Sequence, residues 1–152
     1  MGDFKRILVV SRQTAYCRKA VHYGISLAKQ YGAELYFIHC THDPFHVAWP
    51  SSIPVWTVVE DYKQLLVKNR EDINTIIAVE KEKGMKIVEL IKEADPVAVI
   101  MEAVRDENID LLIMAAHEEG RLEHLLFGHG NEEVARRMPC SLFLVKTDPG
   151  EA

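Results

Sequence analysis

Histidine and cysteine are the residues here best suited to chemistry, and they are unevenly spread. His39, Cys40, His42, Asp43 and His46 crowd one short segment. Nitrogen and sulfur donors at such spacing suit zinc or copper. Strand geometry counts against the idea, because neighbouring residues such as His39 and Cys40 point to opposite faces of a strand. Tetrahedral zinc needs three or four convergent ligands, so no metal site is expected. His117, His124 and His129 form a second group. One of them beside Ser11 or Cys40 would make a nucleophile–base pair. Neither candidate nucleophile sits in a G-x-S-x-G elbow, so a small hydrolase is only a distant alternative. Gly128-His129-Gly130 opens like a dinucleotide fingerprint, but Glu133 fills its third glycine position and no strand leads directly into it.

These residues need a scaffold. Arg6 to Ser11 is a continuous apolar run rich in β-branched residues, as suits a strand buried on both faces. A helix is expected from Thr14 to Tyr31, with Cys17, Ala20, Val21, Gly24, Leu27, Ala28 and Tyr31 on its buried stripe. Gly32 is placed to end it. Leu35 to Cys40 reads as the second strand. The connection from Thr41 to Thr57 holds three prolines and both tryptophans. Its apolar residues Trp49, Ile53, Val55 and Trp56 suit either a lid or docking patch, or simple packing against the next helix. That helix is expected from Val58 to Lys83, with Val59, Tyr62, Leu66, Ile73, Ile76 and Ile77 on one side and Gly84 as its stop. Met85 to Ile91 is the third strand, and the charges at Lys86, Glu89 and Lys92 place it at a sheet edge. Asp95-Pro96 starts a third helix with Val97, Ile100, Met101 and Val104 inward. A fourth strand, Leu111 to Ala115, a short helix from Asn131 to Met138 and a fifth strand, Ser141 to Lys146, complete one domain over 1–147. Residues 148–152 read as a flexible tail.

Composition narrows the function classes. The 152 residues are 48% hydrophobic and 27% charged, ordinary globular values. A net charge of −5 lacks the basic footprint of a nucleic-acid binder. No apolar run approaches the ~20 residues needed to span a bilayer. The N-terminus has no h-region, and three scattered cysteines fit a reducing cytoplasm. Strict alternation of strand and helix predicts an α/β fold, an open doubly wound sheet of parallel strands with helices on both faces. Ligands of such sheets bind beyond the carboxyl ends of the strands, here Ser11 to Thr14, Cys40 to His42 and Ala115 to His117.

KRILVV, LAKQYGAELYFIHC, EADP and IDLLIMAAHEEGRLEHLLFGHGNEEVARRMPCSLFLVK occur in that order. In order and spacing they resemble the universal stress protein (UspA-like) family along nearly the whole chain. The resemblance implies five parallel strands in the order 3-2-1-4-5. It implies a homodimer built on the last strand, through Leu142, Phe143, Leu144 and Val145. It also implies a stress-response role without established catalytic chemistry. Many members bind ATP through an Asp after the first strand and G-x2-G-x9-G-[S/T] after the fourth. Laid on this chain without gaps, the Asp position falls on Arg12, the glycines on Ala115, Glu118 and Gly128, and the hydroxyl on His129. Glycines let backbone N–H groups close around phosphate, and Glu118 sets a negative charge in their place.

The expectation is a dimeric binding module with a degenerate ATP motif, no resident cofactor and an unidentified protein partner. The alternative is a nucleotide (ATP or AMP) or anion sensor using Arg12, Cys40, Ala115, His117, Gly128, His129 and Gly130. In that reading Arg12 and His129 flank a helix N-terminus able to hold an anion. In the plainer one Arg12 is a solvated loop charge and His129 an imperfect cap, with Glu132 three residues on.

Overall fold

A computed structural model describes residues 3–11, 17–40, 55–92, 96–117 and 136–147. The elements in chain order are β1 (Arg6–Ser11), α1 (Cys17–Tyr31), β2 (Glu34–Cys40), α2 (Val55–Glu82), β3 (Ile87–Lys92), α3 (Pro96–Asp106), β4 (Leu111–His117) and β5 (Ser141–Thr147). The strands form one parallel sheet in the order β3-β2-β1-β4-β5, as expected. β3 lies at one edge, where its charges suggested, and β5 at the other.

Right-handed crossovers put α1 and α2 on one face and α3 on the other. The core divides accordingly. Ile7, Val9, Leu35, Phe37, Leu111 and Ile113 meet Ala20, Val21 and Ala28 of α1 and Ile73 and Ile77 of α2. The alternate residues Leu8, Val10, Tyr36, Ile38, Leu112 and Met114 meet Val97, Ile100, Met101 and Val104 of α3. Both faces being covered, the strands read as unbroken apolar runs rather than alternating ones.

The helices end as the glycines suggested. Gly32 has φ +64° and Gly84 φ +90°, conformations that cost glycine least. The N–H of Ala33 donates to the Ala28 carbonyl at 2.9 Å, and that of Met85 to Glu80 at 3.1 Å. These are the six-to-one bonds of the Schellman motif. At this same rim, where the strands begin, the Asp110 carboxylate accepts from the Lys5 and Arg6 backbone N–H groups at 2.9 and 3.2 Å, fixing the start of β1 against β4.

Several expected boundaries shift. α2 begins at Val55 rather than Val58, directly after Pro54, where a missing N–H costs a helix nothing. β3 starts at Ile87 and runs to Lys92, and β4 runs on to His117. On α1, Ile25 is buried, while Tyr31 is exposed and meets Phe4 edge-on at 5.3 Å. A seven-residue spacing drifts about 20° per heptad on a 3.6-residue helix, so the stripe has turned away by Tyr31. Arg136 and Arg137 are helical; residues 131–135 of the expected short helix, the 14–16 start of α1, the 41–54 connection and the tail lie outside the described residues. No described helix is long and apolar enough to cross a membrane.

Candidate functional site

β1 and β4 are the strands at which chain direction across the sheet reverses. Among the described residues their ladder runs from Ile7↔Leu111 to Val9↔Ile113. Each strand then continues, β1 to Ser11 and β4 to His117. With α1 covering one face and α3 the other, this end of the sheet is the crevice where ligands of such folds bind.

Three predicted site residues are described there. Cys40 closes β2, in register with Lys92. Ala115 is buried in β4 opposite Val145, and His117 ends β4 opposite Thr147. Arg12, Gly128, His129 and Gly130 lie outside the described residues, as do Glu118, His42, Asp43, His46 and His124. Ser11 is fully buried at the end of β1, and its Oγ has no hydrogen-bond partner among the described residues. A buried hydroxyl left without a partner costs about 1–3 kcal/mol.

In the sequence His39 stands in the cluster whose donors suit a metal but whose strand geometry counts against one. In the structure it does something else. His39 is buried, stacks on Phe37 with centroids 6.4 Å apart, and its Nε2 lies 3.2 Å from Glu89 Oε1. Lys81 Nζ donates to the other oxygen, Glu89 Oε2, at 2.7 Å. Burial pushes the Glu89 carboxyl up, but Lys81 and His39 outweigh it and hold the group below its ordinary value. Ser11 stands opposite His39 in the β1–β2 register. Ser11 and His39 are thus in register while Glu89, opposite Phe37, reaches His39 diagonally; the serine hydroxyl bonds to neither, and no nucleophile–base pair is formed. Among the described residues no three His, Cys, Asp or Glu side chains converge as a metal site would require.

Beside this chain of contacts lies a cleft of about 430 Å³ between α2 and the β2–β3 edge of the sheet. From α2 it is lined by Arg70, Asn74, Ile77 and Lys81. From the sheet it is lined by His39, Glu89 and Ile91. The sequence carried the signal in the i, i+4, i+7, i+11 spacing of the four α2 residues, one helix face mixing polar and apolar groups.

Comparison with known proteins agrees with this architecture. Residues 3–146 match the model of the universal stress protein family. A universal stress protein of Methanocaldococcus jannaschii is 24% identical over 143 residues, spanning 94% of this chain and 82% of its own length. The structure of the universal stress protein UspA from Lactobacillus plantarum superposes with a TM-score of 0.65 at 14% identity, covering 95% of this chain and 99% of that one. A universal stress protein family protein from Arabidopsis thaliana, solved with AMP bound, gives 0.57 at 15% identity, covering 97% and 94%. With nearly every residue matched and the doubly wound sheet shared, the chain belongs to the universal stress protein family.

Proposed function

We propose that this protein is a homodimeric, non-catalytic binding module of the cytoplasmic stress response, with a degenerate ATP motif and no resident cofactor. The observation that carries this reading is the outer edge of β5. β5 ladders with β4 on one side and, among the described residues, has no strand on the other. Phe143 is 36% exposed and Leu144 42%, and they point to opposite faces of the strand. Tyr23 of α1, itself 42% exposed, meets Phe143 edge-on at 5.6 Å and widens the apolar surface. An exposed apolar edge invites pairing. A second copy related by a two-fold axis would set Leu142 to Val145 against themselves and cover both faces at once.

The test is sedimentation equilibrium of the wild type and of Leu144→Asp. The wild type is expected at twice the 17.3 kDa chain mass and the variant at the chain mass. A monomeric wild type, or a variant that stays dimeric, overturns the reading.

A second reading is a nucleotide or anion sensor at the crevice, using Arg12, Cys40, Ala115, His117, Gly128, His129 and Gly130. The unpartnered Ser11 hydroxyl favours it, because it offers a buried polar contact to an incoming ligand. The AMP-bound relative of the same fold supports the same class of ligand.

A further inference from the structure

We propose that the cleft between α2 and the edge strand β3 binds a small amphipathic monoanion, a carboxylate carried on a short hydrocarbon body. Its volume of about 430 Å³ falls at the lower end of what small-ligand pockets occupy. The charges select the sign. Arg70 and Lys81 against Glu89 leave one positive charge on the lining. Lys81 is already spent on Glu89 at 2.7 Å. Arg70 forms no ion pair or hydrogen bond among the described residues, and neither does Asn74, one turn further along the same face. A guanidinium fork and a carboxamide one turn apart, both solvent-exposed and without a protein partner among the described residues, suit the two oxygens of a carboxylate.

The same lining limits the ligand. With Lys81 and Glu89 neutralising each other, Arg70 is the single uncompensated charge of the lining, which matches a monoanion rather than a dianion such as a phosphate monoester. Below Arg70 and Asn74 the wall turns apolar, with Ile77 buried to 1% on α2 and Ile91 71% exposed on β3. An isoleucine that open at a sheet edge gains from a hydrocarbon body laid across it. β3 and β5 are opposite edges of the sheet, so this inference stands or falls apart from the dimer.

The experiment titrates the isotope-labelled full-length protein at pH 7 with hexanoate, and separately with hexylammonium, following backbone amides by NMR. Hexanoate is expected to give saturable shifts at Ala78, Glu89 and Ile91, and hexylammonium none there. Arg70→Gln keeps a good helix former at an exposed site, so the fold is retained. It is expected to weaken hexanoate binding by about fivefold or more, through loss of the charged fork. Absence of saturable shifts, equal binding of hexylammonium, shifts gathered at Ser11 and Ala115 instead, or an Arg70→Gln variant that binds hexanoate like the wild type would each overturn the proposal.

Discussion

Gly24 of α1 lies so close over Val9 of β1 that a Cβ added at position 24 would collide with Val9 Cγ2. Val9 is fully buried and has nowhere to move. The close approach seats α1 on the strand whose end forms the crevice, two residues on at Ser11. Gly24→Ala gains up to about 1 kcal/mol of helix propensity and costs about 1–3 kcal/mol of overpacking. A net loss of about 1 kcal/mol is expected, read as a lower urea midpoint with an unchanged m-value. An alanine variant at least as stable as the wild type would show that the helix can slide.

Acid should weaken the fold through carboxylates held on lysines. The Lys86 ammonium, 2.7 Å away, and the Tyr36 hydroxyl, 3.0 Å away, hold the Glu34 carboxyl below its ordinary value of 4.5. Lys29 at 2.6 Å and then Lys83 at 3.3 Å do the same for Glu80, against the opposing effect of burial. A depressed folded pKa gives stability that is present above the unfolded value and lost as pH falls through the folded one. Tm is therefore expected to hold between pH 7 and 5 and to drop below the ordinary glutamate value of 4.5. Glu80→Gln should lower Tm at pH 7 and show a shallower acid decline; the same acid slope in both proteins would exclude this cause.

Much of this fold was legible because parallel strands under two helical layers must be apolar through their middles, as Ile7 to Val10 and Leu111 to Ala115 are. Starts and stops were equally readable: Pro96 opening α3, Gly32 after α1 and Gly84 after α2 each have a local physical cause. The first turn of α2 was not, since the prolines before Val55 and its tryptophan read as loop chemistry. The role of His39 was hidden too. Its partner Glu89 is 50 residues away, and only the β2–β3 register brings them together. The α2 cleft was hidden for a similar reason: its lining is divided among α2, β2 and β3, and no linear motif joins them.

The sensor reading makes its own prediction at the crevice. An anion held by Arg12 and the N-terminus of the helix expected from Asn131 gains from His129 only when that imidazole is protonated, below about pH 6.5. Titration with inorganic phosphate or AMP should then shift the amides of His129 and Gly130 more at pH 5.5 than at pH 8, and Arg12→Ala should abolish the shifts. If neither pH moves those amides, the sensor reading fails.

Central to the account is that this family member works by binding something other than ATP in the family manner. Four of the five signature positions are changed, to Arg12, Ala115, Glu118 and His129, and Gly128 alone is kept. The direct measurement is calorimetric titration of ATP with magnesium into nucleotide-free protein at pH 7. No binding tighter than about 100 μM, roughly −5.5 kcal/mol, is expected. A saturable heat with low-micromolar affinity would contradict it.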